Sequence, residues 1–304
     1  MKLQLFIGVI ILSISIPACK NAGQKTQPAA LYTTSDLTPD SSFTHGAEGP
    51  AVDAAGKIYA VNFSKEGTIG VISQAGAAEI FASLPNGSVG NGIRFNSKGD
   101  IMIADYTNHN ILKIAMDGSK QVSVFAHDST MSQPNDIAID SKDRLYASDP
   151  KWKANTGRIW RIDTNGTVTL LADSMGTTNG IEVSPDEKTL YVNESVQRNV
   201  WAYDLAQDGT ISNKHLLISF PDFGMDGMRT DKEGNLYIAR YGKGVIAKVS
   251  PQGKLLLEVS LKGKSPSNIC FGGPDGKTAY VTLQDRGNME QFRVETAGRE
   301  WKNK

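Results

Sequence analysis

The chain of 304 residues carries 32 Lys and Arg against 32 Asp and Glu, so it lacks the basic surplus that nucleic-acid binding needs. Hydrophobic residues make up 39% and glycines number 30, a turn-rich composition that excludes both a disordered chain and a multi-spanning membrane protein. The length allows one large domain or two small ones.

At the N-terminus Lys2 precedes an apolar run from Leu3 to Ile16. The run falls short of the roughly 20 residues of a membrane span and reads as a signal peptide. It ends Ile16-Pro17-Ala18-Cys19, which resembles the lipobox of bacterial lipoproteins and implies cleavage before a lipid-modified Cys19. The expected organisation is a signal peptide over 1–18, a tether over 19–29 and a single domain over 30–304. The expected location is the bacterial cell envelope after export, with membrane contact only through that lipid. Cys270, the other cysteine, lies in an apolar run and reads as a buried thiol.

From Glu48 onward the sequence repeats six times. Each unit opens on a polar residue followed by a short apolar strand: Glu48 (EGPAVD), Asn91 (NGIRFN), Asn135 (NDIAID), Asn179 (NGIEVS), Asp226 (DGMRTD) and Asn268 (NICFGG). The openings are 43, 44, 44, 47 and 42 residues apart. Second strands follow as IYAVN, IMIAD, LYASD, LYVNE, LYIAR and AYVTL, with Tyr59, Met102, Tyr146, Tyr191, Tyr237 and Tyr280 in matching positions. RIWRID and VTLLAD continue the third unit through the hairpin signal Asn165-Gly166, and Asp117-Gly118 and Asp208-Gly209 mark the same hairpin in units two and four. Four short strands per unit predict an all-β, six-bladed β-propeller with four-stranded blades. The last unit runs out near Gln291 to Val294, so the run from Ala30 to Ser35 is expected to supply its fourth strand and close the ring.

In a propeller the first strand of each blade lies nearest the axis, so the six openings converge at one end of the central channel. Glu48, Asn135, Asn179 and Asp226 then offer two carboxylates and two amide oxygens, a hard oxygen set of formal charge −2. That set suits Ca²⁺ first and Mg²⁺ or Mn²⁺ next. Zn²⁺ comes last, because His45, His109, His127 and His215 lack ligand spacing. Asn-Gly and Asp-Gly are also ordinary turn pairs, and the turn reading weighs most for Asn91 and Asn268. Glu48 resists it, since Glu is not a turn former. The loops sharing this end carry Lys151, Lys153, Arg198, Lys243 and Arg286. A basic rim around a polar or acidic substrate is therefore expected, with Asn91, Asn135 and His109 as candidate substrate contacts. A solvated rim of ordinary surface charges is the competing reading.

The stretches AEGPAVD, QPNDIAID, TNGIEVSPDEKTLYVNES, DGMRTDKEGNLYIA and CFGGPDGKTAYVT resemble the gluconolactonase and regucalcin (senescence marker protein) family of calcium-dependent propellers. The resemblance covers most of the chain from Glu48 onward. It implies an axial divalent cation held by Glu48, Asn179 and Asp226, with Asn135 on metal or substrate. Asp226 is implied as proton donor and acceptor, with Asp136 as an alternative base. The implied reaction is metal-dependent hydrolysis of a lactone, a small-molecule substrate, with no obligate protein partner. No counterpart of the regucalcin branch's substrate-binding arginine is found. A non-catalytic propeller binding a ligand or protein at the envelope is the alternative, and a phosphotriesterase on the same site is a third.

Overall fold

The protein is described from a computed structural model, which covers Met1 and residues 30–301. The expected signal peptide and the lipidation of Cys19 lie outside the described residues. Six four-stranded antiparallel sheets follow one another along the chain. Blade 1 is built from Phe43–Val52, Ile58–Phe63, Thr68–Ile72 and Ala78–Ser83. Blades 2 to 5 cover residues 90–127, 137–175, 178–219 and 228–260. Blade 6 contributes Pro266–Gly272, Thr278–Leu283 and Asn288–Arg293, and its outer place is taken by Ser35–Asp36 from the start of the domain.

The closing strand thus falls at the end of the expected run. Ser35 pairs with Gln291 and Asp36 with Glu290, while Leu31 touches Arg293 through a single parallel bridge. A turn with Tyr32 in the left-handed region separates the two contacts and shortens the ladder. The expected hairpins form where Asp-Gly and Asn-Gly announced them, with Gly118, Gly166 and Gly209 at φ of 94°, 83° and 84°.

Six apolar clusters hold the ring, one between each pair of neighbouring blades. Met102 and Ala104 of blade 2 pack with Ile137 and Trp160 of blade 3. At the closure, Ile58, Ala60 and Ile72 of blade 1 pack with Cys270, Tyr280 and Met289 of blade 6. The matched residues of the second strands, Tyr59 to Tyr280, are all buried between blades. Their recurrence in the sequence is the trace of this packing. Cys270 is free, and burial pushes its thiol pKa up, as suits a packing residue.

The tail after the last blade adds a second fastening. Gly298 bridges to Asp231 of blade 5, its N–H donates to the Gly276 carbonyl of blade 6, and the Arg299 N–H donates to the Thr230 carbonyl. This return lies outside the repeat, and no periodicity announces it.

Candidate functional site

Five of the six opening residues line one cavity of about 490 Å³: Glu48, Asn91, Asn135, Asn179 and Asp226, from blades 1 to 5. Local backbone geometry presents them. The ladder between first and second strands loses register at Glu48/Ala51, Gly90/Ile93 and Thr178/Ile181. In blades 3 and 5 the first strands begin only at Ile137 and Met228, two residues past the opening. Such bulges turn a side chain out of the sheet's alternation. Gly49 shows how closely the blades meet here. Its φ is +56°, and a Cβ would lie 2.0 Å from the Asn91 carbonyl oxygen, so only glycine fits beside Glu48.

The electrostatics of the site are one-sided. The Oδ1 atoms of Asn91, Asn135 and Asn179 are buried with no hydrogen-bond partner in the protein. Buried polar oxygens in folded proteins nearly always have a partner, and a cation can serve as one. Burial first, then the charge of Asp136, pushes the Glu48 carboxyl up to about 7. Burial, then Glu48 and Asp136, holds Asp226 well above the usual carboxylate range, against hydrogen bonds from Asn179 and the Gly227 backbone. Among the described residues no Lys, Arg or His side chain lines the cavity. Two carboxylates and three free amide oxygens therefore converge with Arg229 as a cation only beneath them and not in the lining, and this donor set fits a hard divalent ion. Among the described residues no three His, Cys, Asp or Glu side chains are grouped to hold a metal, because the set here is two carboxylates completed by amides.

The sixth opening residue has a different task. Asn268 is buried, its Nδ2 donates to Glu48 Oε2 at 3.0 Å, and its Oδ1 accepts from the Ile269 N–H. Together with the Gly49 N–H, which donates to the same Glu48 oxygen, it fixes the carboxylate's orientation.

Three expectations need correction. His109 is not among the residues lining the cavity. It sits in the tight turn between the second and third strands of blade 2 with φ of +61°, its Nδ1 buried without a protein partner. Asp136 does not line the cavity either. Its Oδ2 accepts from Arg229 Nη1 at 3.1 Å and its Oδ1 lies 3.5 Å from Arg94 Nη1, so it is committed to ion pairs beneath the site and is not a free base. None of the five rim cations lines the cavity, which accords with the competing reading of ordinary surface charges. Arg286 is held by Asp36, Asp40 and Glu290, and Lys243 by Glu258. Tyr106, Trp152 and Tyr241 line it instead.

Beneath the openings runs a buried charge network that sequence reasoning missed. Three residues past Asn91, Asn179 and Asp226 stand Arg94, Glu182 and Arg229, all nearly inaccessible. Arg94 bridges Asp136 and Glu182, the latter at 3.2 Å, and the tail's Arg299 reaches Glu182 at 3.2 Å. The signal was present: charged residues at a repeated position of strands that should be continuously apolar.

A ring of six four-stranded blades around an acid-and-amide cavity defines an axial-site β-propeller. The chain matches the family described as SMP-30/Gluconolactonase/LRE-like region over residues 46–285, and it belongs to that family. It is 29% identical over 233 residues to a gluconolactonase of Zymomonas mobilis, covering 68% of this chain and 64% of that one. It is 29% identical over 170 residues to a pentonolactonase of Haloferax volcanii, covering 55% and 58%. The chain thus spans about three-fifths of the length of these curated relatives. A regucalcin of Agrobacterium tumefaciens, described as a calcium-binding protein, superposes with a TM-score of 0.76 at 23% identity over 86% of this chain and 94% of that one, which establishes the shared fold.

Proposed function

We propose that the protein hydrolyses a lactone with the aid of a divalent cation, Ca²⁺ before Mg²⁺ or Mn²⁺, held by Glu48, Asn135, Asn179 and Asp226. The observation that carries this reading is the convergence of two carboxylates with three unpartnered amide oxygens. The lactonases among its relatives support the reaction class. The cation, when bound, supplies Lewis-acid polarisation of the ester carbonyl. Asn91, whose Oδ1 remains free beside this set, accepts a hydrogen bond from a substrate hydroxyl. Asp226 opens onto the cavity and is assigned the proton transfer. Water oxygen bonds to the carbonyl carbon, the ring C–O bond breaks, and the proton taken from water passes to the departing ring oxygen. Export and attachment through Cys19 complete the proposal and rest on residues 1–19 alone.

The test is hydrolysis of a lactone panel including glucono-1,5-lactone, after chelation and then with Ca²⁺, Mg²⁺, Mn²⁺ or Zn²⁺ restored. Turnover is expected to vanish with chelation and return with one of the hard cations. Undiminished turnover in the chelated protein would remove the metal from the reading, and absence of turnover with every cation would remove the lactonase.

A further inference from the structure

Three aromatic side chains from three blades wall the cavity above the axial oxygens. Tyr106 comes from the turn after Ile101–Asp105 in blade 2, Trp152 from the single 3-10 turn Trp152–Ala154 in blade 3, and Tyr241 from the turn after Leu236–Arg240 in blade 5. Blades 2 and 5 are opposite members of the six-blade ring, so the two tyrosines flank the mouth from opposite sides. Tyr241 remains 38% exposed, leaving apolar surface at the entrance. The indole Nε1 of Trp152 is buried and faces the Tyr106 hydroxyl, which ties two members of the wall together.

The charges in the cavity point the same way. Among the described residues the ionisable side chains lining it, apart from the tyrosines, are Glu48, Asp226 and Glu66. One divalent cation balances Glu48 and Asp226, which leaves Glu66 as an uncompensated negative charge at the rim. The faces of aromatic rings are themselves the negative end of a quadrupole and repel anions, whereas they pack well on C–H and aryl surfaces. A volume of about 490 Å³ exceeds the need of a bare five- or six-membered lactone and lies in the roughly 300–1,000 Å³ range of pockets that enclose larger organic ligands.

Building on the lactonase reading above, we propose that the substrate is an uncharged lactone bearing an apolar or aromatic substituent. Tyr106, Trp152 and Tyr241 receive the substituent, and Glu66 turns anionic lactones away. This replaces the acidic substrate that a basic rim suggested.

The experiment compares three lactones on one ring: γ-butyrolactone, its γ-phenyl derivative and its γ-carboxylate derivative, with divalent cation supplied. The phenyl compound is expected to have the highest kcat/KM and the carboxylate the lowest, about 100-fold apart. In Trp152→Ala the ratio of kcat/KM for the phenyl compound over γ-butyrolactone is expected to fall about 10-fold, mainly through KM. Glu66→Gln is expected to narrow the gap to the carboxylate. A second readout is independent of turnover: the phenyl lactone should quench tryptophan emission in the wild type, and Trp152→Phe should remove the quenching. Turnover with a ratio that Trp152→Ala does not move, or with the carboxylate preferred, overturns this wall assignment and leaves the lactonase reading intact. Quenching without turnover of any of the three supports the wall and rejects the lactonase reading. Neither quenching nor turnover overturns both.

Discussion

Glu48→Gln is expected to lower lactone turnover by about 1,000-fold or more while making the metal-free protein more stable above neutral pH. Glu48 is buried beside Asp136, and its carboxyl is pushed from an ordinary 4.5 up to about 7. The folded chain therefore holds a proton on Glu48 that the unfolded chain has released across this interval. Stability from this group is full below about 4.5 and is lost as pH rises to about 7, a loss on the order of 3 kcal/mol. Glutamine keeps the oxygen that accepts from Asn268 and Gly49 but never has to ionise. In thermal melts after chelation, the wild type should lose Tm from pH 4.5 to 7 more steeply than Glu48→Gln, the remaining slope coming from Asp226. A divalent cation should restore the wild type and not the variant, since it binds the ionised pair. Parallel pH profiles in the two proteins would show that Glu48 does not carry the strain of the metal-free site.

The second large effect concerns the charges beneath the site. Arg229→Met is expected to destabilise the protein by about 3–5 kcal/mol. Arg229 is buried, and its Nη1 donates to Asp136 Oδ2 at 3.1 Å, while its Nε lies 3.9 Å from Glu182 Oε2. Methionine fills a similar volume but leaves Asp136 with the Ile137 N–H at 2.9 Å and, as its cationic partner, the longer 3.5 Å contact to Arg94. A buried carboxylate losing its main partner incurs the full desolvation penalty, which is much larger than the net worth of the pair. Urea unfolding followed by circular dichroism measures this directly. A change under about 1 kcal/mol would mean that water or the tail's Arg299 already compensates the two carboxylates.

The fold was legible because the propeller writes itself into the sequence. The openings recur every 42 to 47 residues, and Tyr59, Tyr146, Tyr191, Tyr237 and Tyr280 recur with them, because each blade buries the same position against its neighbour. The candidate site was legible for a related reason. Architecture carries one strand position per blade to the axis, and a Glu standing among Asn-Gly and Asp-Gly pairs has no turn to serve there. The rim was not legible in the same way. Lys151 and Trp152 are adjacent in sequence, but only the tryptophan lines the cavity, and a one-turn 3-10 helix decides that. Spacing along a strand predicts which side a residue takes, whereas loop conformation does not follow from spacing. For the same reason spacing did not show that His109 lies in a turn and outside the cavity lining. The tail's contact with blade 5 depends on residues 297–301, which lie beyond any repeat.

If the axial oxygens hold one divalent cation, calorimetric titration of Ca²⁺ into chelator-treated protein will register it. The expected result is one ion bound per chain in the wild type, with binding lost in Asp226→Asn. Absence of binding for Ca²⁺, Mg²⁺ and Mn²⁺ alike, or undiminished binding in Asp226→Asn, would contradict it.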